Sequence, residues 1–143
     1  MSNTFLLLVE DNPDDEALAL RALKKQPITY NVVVTRDGVE ALDFLFGKGE
    51  YAGRDIRLQP EVVLLDLKLS KIDGVDVLKR IRADKRTQRI PVVILSSSDE
   101  ERDIAASYDN CANSYICKPI DFDQFVEVIR HLGMYWMLLN RTP

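Results

Sequence analysis

The sequence has few cysteines, a single histidine and no excess of basic charge, and each shortage removes a class of function. Its two cysteines, Cys111 and Cys117, have no further Cys or His at metal-ligand spacing. They read as reduced cytosolic thiols, not as a zinc site or a disulfide framework. His131, the only histidine, falls in a helical pattern and reads as a surface helix residue. With 19 Lys and Arg against 23 Asp and Glu, the formal charge is −4. The basic face that a nucleic-acid footprint needs is therefore not expected, and the balance points to protein partners or cations. No apolar run approaches the roughly 18 residues of a membrane span. The start, Met1 to Thr4, lacks the basic segment and small-residue cleavage site of a signal peptide. A soluble, cytoplasmic protein without nucleic-acid or membrane partners is expected.

What is present is ordinary globular composition: 143 residues, 46% apolar and 29% charged, enough for one domain spanning 1–143 around one core. Short apolar runs alternate with helical patterns. The runs are Phe5 to Val9, Tyr30 to Val34, Val62 to Leu65, Val92 to Leu95 and Ser114 to Ile116. Runs apolar at successive positions suit strands covered on both faces, as in a parallel sheet. Helix starts lie between them. Asn12-Pro13 sets a capping residue before a proline at the first helical position. Asp37 with Glu40, Ser98 with Glu101, and Asp121 with Gln124 each resemble a capping box. Asp73-Gly74 precedes the amphipathic set Val75, Val77, Leu78 and Ile81. The pattern predicts an α/β fold, a doubly wound five-stranded parallel sheet of (βα)5 type, with any site at the carboxyl ends of the strands. Residues 47–60, with three glycines and a proline, read as an extended, tolerated surface loop.

The chemistry gathers at those strand ends. Glu10 and Asp11 follow the first strand and Asp66 ends the third, and these two strands are commonly neighbours in such sheets. Either acid alone could serve as a turn or capping residue. Acids ending two adjacent strands point instead to three carboxylates in one crevice, whose mutual repulsion a hard divalent cation would relieve. Ser96 ends the fourth strand and offers a hydroxyl, and Lys118 follows the fifth and offers a mobile ammonium. Acids, a cation site, a hydroxyl and an ammonium together suffice to receive a dianionic phosphoryl group, since phosphoryl transfer is mostly positioning and charge neutralisation. Asp66, already ionised at neutral pH, needs no general base to attack phosphorus.

Five segments resemble bacterial two-component response-regulator receiver domains over essentially the whole chain: Leu8-Val9-Glu10-Asp11-Asn12, Val63-Leu64-Leu65-Asp66-Leu67, Asp73-Gly74, Pro91 to Ser97, and Tyr115-Ile116-Cys117-Lys118-Pro119. The resemblance implies a CheY-like fold and phosphorylation on Asp66. It implies Mg²⁺ (or Mn²⁺) held by Asp11, Asp66 and the backbone carbonyl of Lys68, with Glu10 acting through water. Ser96 and Lys118 would contact the phosphoryl group, Tyr115 would switch inward toward Ser96, and the bond before Pro119 would be cis. Lys68 and Ser98, two residues beyond Asp66 and Ser96, would flank the path of attacking water and tune dephosphorylation, or else are simply exposed loop residues. A closer resemblance, in Gly49-Glu50-Tyr51, Ala112 to Tyr115, Asp121 to Phe125 and Tyr135-Trp136, is to stand-alone regulators that partner phytochromes. It implies a sensor histidine kinase of phytochrome type as donor and a separate, unknown downstream protein as reader. A phosphorelay intermediate and a degenerate, binding-only receiver are the alternatives.

Two competing classes fit less well. A haloacid-dehalogenase-like phosphatase places a second Asp two residues after the first, where this chain has Lys68. A flavin or nucleotide binder wants a Gly/Ser/Thr-rich loop after the first strand, where Glu10-Asp11 would repel phosphate. The sequence also departs from the receiver pattern. Ser70 stands where many receivers have proline, Ser96 replaces the commoner threonine, and Cys111 replaces a glycine at the end of the fourth helix, with Asn110 the expected left-handed substitute. Residues 132–143 form an apolar extension of the last helix, expected to join helix five in a homodimer, with or without strand five; packing against helix one within the chain is the alternative.

Overall fold

Strands made wholly of apolar residues must be covered on both faces, and alternate side chains then divide between two cores. The computed structural model of the chain describes residues 5–26, 31–97, 100–118 and 121–133, and it follows this rule. In order, the elements are β1 (Leu6–Val9), α1 (Pro13–Lys24), β2 (Val32–Thr35), α2 (Gly38–Phe46), β3 (Val62–Leu65), α3 (Gly74–Ala83), β4 (Val92–Ser96), α4 (Glu101–Asp109), β5 (Ser114–Cys117) and α5 (Phe122–Gly133). The sheet is parallel throughout, in the order β2-β1-β3-β4-β5. Leu7, Val9, Val63, Leu65, Val92 and Ile94 pack with Leu45, Val77, Leu78 and Ile81 of α2 and α3. Leu6, Leu8, Val62, Leu64, Val93 and Leu95 pack on the other face with Ala19, Ala22 and Leu23 of α1 and Phe125 and Ile129 of α5. Each such fully buried aliphatic side chain contributes about 1.5–3 kcal/mol, so the three central strands carry the stability. Among the described residues no helix is long and apolar enough to cross a membrane.

Helix starts follow the expected chemistry with one exception. Asn12 accepts the N–H groups of Asp14 and Asp15, with Pro13 at the first helical position. Asp37 accepts the Glu40 N–H at 2.7 Å, while the Glu40 carboxylate reaches back to the Arg36 N–H rather than to that of Asp37. Asp121 accepts the Gln124 N–H at 2.8 Å. The exception is α4: its cap is Glu100 and Glu101 is its first residue, two positions short of where a capping box with Ser98 needs it.

Other boundaries also differ from expectation. The second strand runs on to Thr35, because this β-branched residue continues the pairing with Val9. Residues 47–60 form a surface loop, as expected, but one with internal order. They hold a 3-10 turn at Gly49–Tyr51. Arg54 donates to the carbonyls of Phe44 and Leu58 and lies 4.0 Å over the Phe44 ring, and the Tyr51 hydroxyl donates to Glu40. At the end of α4 Cys111 itself, not Asn110, takes the left-handed conformation, with φ 64° against −99°. There the Cys111 N–H donates to Tyr108 O and the Ala112 N–H to Ser107 O, which is the Schellman pattern that demands a left-handed residue at this position.

The described part of α5 packs on α1. Gln26 Nε2 donates to Val126 O at 3.1 Å, and the Arg21 guanidinium lies over the Phe122 ring. Of the apolar extension, residues 134–143 lie outside the described residues, and so does the dimer surface expected of them.

Candidate functional site

The pairing of β1 with β3 in direct register, Val9 opposite Leu65, brings Glu10 and Asp66 side by side just beyond the sheet. Backbone bonds fix both: the Asp66 N–H donates to Val9 O and the Glu10 N–H to Thr35 O. Oxygens of Glu10, Asp11 and Asp66 all lie within 4.8 Å of one another, with Glu10 and Asp66 buried and Asp11 exposed. From the end of β5, the Lys118 ammonium reaches Glu10 Oε1 at 2.6 Å, Asp15 Oδ2 at 3.0 Å and Asp66 Oδ2 at 3.6 Å. The Lys68 N–H donates to Asp66 Oδ1 at 3.1 Å, so the two oxygens of Asp66 have different surroundings.

The electrostatics show how crowded these acids are. Burial and the facing Asp66 carboxylate push the Glu10 carboxyl up to about 7, against the opposing pull of Lys118. Burial works against the charge of Lys118, yet Glu10, Asp66 and Asp15 outweigh it and hold the ammonium above the ordinary lysine range. One ammonium is too little positive charge for this group of acids. A hard, all-oxygen donor set with surplus negative charge fits a divalent cation such as Mg²⁺ or Mn²⁺, and a soft metal much less.

The remaining sequence-predicted residues are placed as follows. Ser96 is fully buried at the end of β4, and its carbonyl accepts the Lys118 N–H. Tyr115, in β5 opposite Ile94, is half-buried against the α2/α3 core. The Lys68 ammonium lies 3.8 Å from Asp103 of α4. Ser98 and Pro119 lie outside the described residues. Sequence reasoning missed Asp15, an acid in the first turn of α1. It marked Gly74 only through the Asp73-Gly74 pair and missed the close approach there, where a Cβ would sit 2.3 Å from Asp66 O. The signals available were the place of Asp15 in the first turn after the Asn12 cap and the Asp73-Gly74 pair itself.

The description "response regulator receiver domain" matches residues 6–130. The chain belongs to the response regulator receiver family. Receivers are phosphoacceptor proteins of phosphorylation-dependent signalling rather than conventional enzymes. Among curated relatives, the probable methanogenesis regulatory protein FilR2 of Methanothrix harundinacea is 39% identical over 96% of this chain and 86% of its own length. Response regulator Rcp1 of Synechocystis is 36% identical over 96% and 92%. Among solved structures, the phosphorylated cyanobacterial phytochrome response regulator RcpA superposes with a TM-score of 0.86 at 40% identity, covering 96% of both chains. The bacteriophytochrome response regulator AtBRR is 48% identical with a TM-score of 0.75, covering 95% of this chain and 96% of its own. Rcp1 has also been solved with Mn²⁺ bound, with a TM-score of 0.85 at 34% identity, covering 97% of this chain and 98% of that one.

Proposed function

We propose that this receiver accepts a phosphoryl group on Asp66, in a Mg²⁺-dependent reaction, from a sensor histidine kinase of phytochrome type. The observation that carries the reading is the position of Asp66, a buried carboxylate between two further acids and the Lys118 ammonium. An Asp66 oxygen attacks phosphorus, the P–N bond of the donor phosphohistidine breaks, and its electron pair returns to the imidazole. The product is an acyl phosphate. The Lys68 N–H holds one carboxylate oxygen, so that the side chain meets the donor in a fixed orientation. Lys118 balances charge on the incoming group, and the Ser96 hydroxyl donates to it. Asp11, Asp66 and the Lys68 carbonyl would hold the cation, with Glu10 behind a bound water. When bound, the cation supplies charge neutralisation on the transferring oxygens.

The ordered change that follows needs the phosphorylated site only to favour one of two states of the Ser96 loop and Tyr115. A second protein reads that change. The phytochrome assignment is supported by RcpA and AtBRR, whose own descriptions are of phytochrome response regulators.

Incubation with acetyl phosphate and Mg²⁺, followed by intact mass and adduct mapping, tests the central step. One phosphoryl increment on wild type and none on Asp66→Asn is expected. No increment, or one that survives the substitution, would overturn the reading. For the partner, an autophosphorylated bacteriophytochrome kinase should pass its label to wild type and not to Asp66→Asn.

A further inference from the structure

Lys118 has more acidic partners than its role as a phosphoryl contact requires. Two of them, Glu10 and Asp66, belong to the cluster of three carboxylates. The third, Asp15, does not. It comes from the first turn of α1, held there by the Asn12 cap, and its carboxylate stands 3.0 Å from Lys118 Nζ, closer than the 3.6 Å to Asp66. First-turn acids are favoured by the helix dipole, and Asp14, Asp15 and Glu16 all satisfy that preference. Their side chains nevertheless go to different places. Glu16 pairs with Arg36, and only Asp15 turns to Lys118.

The lysine also has room to move. A cavity of about 270 Å³ between α1, α5 and the ends of β4 and β5, walled by Leu18, Leu95, Ile116 and Phe125, borders both Asp15 and Lys118.

We propose that Asp15 is a positioning residue, the resting counterion of Lys118, which holds the ammonium back from Asp66 and competes with an arriving phosphoryl group for it. The inference rests on the reading of Asp66 as phosphoacceptor. Because Asp15 lies outside the carboxylate trio, its charge remains directed at Lys118 when a cation occupies those three acids. Phosphorylation then has to break the Asp15 pair, so Asp15 sets a threshold against small donors. The side chains are 16% and 39% exposed, which places the pair toward the upper end of exposed salt bridges, about fivefold in equilibrium or close to 1 kcal/mol.

The test compares full-chain wild type, Asp15→Asn, Asp15→Glu, Lys118→Gln and the Asp15→Asn/Lys118→Gln pair. Acetyl phosphate with Mg²⁺ gives the phosphorylation rate by intact mass, and beryllofluoride titration followed by ¹⁹F NMR gives an affinity independent of turnover. Asp15→Asn should phosphorylate about fivefold faster than wild type and bind beryllofluoride about fivefold tighter. Asp15→Glu should stay near wild type, and the rate gain should vanish in the Lys118→Gln background. A purely structural role for Asp15 would leave the gain or loss intact in that background. Rates for Asp15→Asn equal to or below wild type, or a gain that persists without Lys118, would overturn the proposal while the phosphoacceptor reading stands. No adduct on any of the five proteins would overturn both.

Discussion

Replacing Gly74 with alanine sets two effects of opposite sign against each other. Gly74 is the first residue of α3, and its N–H donates to Leu67 O at 2.9 Å. Its φ is not positive, so the glycine is not there for conformational freedom. On helix propensity alone, alanine should stabilise the protein by up to about 1 kcal/mol. The structure argues the other way. A Cβ at this position would lie 2.3 Å from Asp66 O and 2.5 Å from Leu67 Cα. Both atoms are backbone, so no flexible side chain can yield, and reaching a tolerable 3.0 Å requires a shift of roughly 0.7 Å. Overpacking of this kind costs about 1–3 kcal/mol, which exceeds the propensity gain. The atoms that must move carry the carboxylate, and a misplacement near 1 Å costs about 10²-fold in a reaction that depends on alignment. Urea unfolding of Gly74→Ala should therefore show a net loss of about 1–2 kcal/mol. Acetyl phosphate labelling by intact mass should slow by at least about tenfold. A variant as stable as wild type, with an unchanged labelling rate, would refute the close approach as a constraint on the site.

Cys111→Gly should act in the opposite direction, because it relieves a left-handed non-glycine residue at φ 64° without removing a side-chain contact the Schellman turn uses. The strain relieved is about 1–2 kcal/mol and the added unfolded-state freedom of glycine offsets part of it, so the urea midpoint should rise by the equivalent of roughly 0.5–1 kcal/mol. An unchanged or lower midpoint would contradict this. The hydrogen bond from the Tyr51 hydroxyl to Glu40, with burial, pushes the phenol up to about 12 from its ordinary 10. The native state therefore keeps a proton between pH 10 and 12 that the unfolded chain releases, and the stabilisation is full below pH 10 and lost as pH climbs through that window. A difference titration of phenolate absorbance, wild type against Tyr51→Phe, should show the missing component near 12; a component near 10 would count against the bond. Lys68→Ala should change the rate of autodephosphorylation more than Mg²⁺ affinity, since the Lys68 side chain reaches toward Asp103 while its N–H holds Asp66. Equal phosphate half-lives in the two proteins would argue against a tuning role.

The parallel sheet was legible because its central strands carry unbroken runs of four apolar residues. Leu6–Val9, Val62–Leu65 and Val92–Ser96 each supply two cores, a pattern that few other folds need. Glu10, Asp11, Asp66 and Lys118 were legible because strand ends in such a sheet converge, so sequence order alone brought them together. What escaped depends on contacts between side chains far apart in sequence. Asp15 looked like any first-turn acid, and nothing along the chain distinguishes it from Asp14 until Lys118 arrives from 103 residues away. Arg54 sits in a glycine-rich stretch that reads as loop, yet it orders that stretch through carbonyls of α2 that no sequence pattern marks. The capping box proposed for Ser98 and Glu101 failed for a related reason. Serine and glutamate at that spacing occur in many settings, and here the helix starts later, at Glu101.

The energetics of the site explain why its acids lie where the core is strongest. Glu10 is only 2% exposed, and it accepts the Lys118 ammonium and, at 3.3 Å, the Asn12 N–H while facing a second carboxylate, Asp66. A buried ion pair of this kind seldom repays its desolvation, and hydrophobic replacements of similar size are often neutral or better for stability. The strands beneath it, with Leu7, Leu8, Val63, Leu64 and Ile94 all essentially unexposed, carry that cost. The consequence is a site whose acids Glu10, Asp11, Asp15 and Asp66 outnumber the Lys118 ammonium among them. Its carboxylates compete for one ammonium, and Glu10 is pushed toward neutrality first by burial and then by its neighbour Asp66. Such an arrangement responds to added charge in a way a balanced network does not. On the proposed function, a divalent cation would relieve the surplus of acids, and a phosphoryl group would then draw Lys118 away from Asp15. A fully satisfied set of pairs would make a more stable domain and a less responsive one.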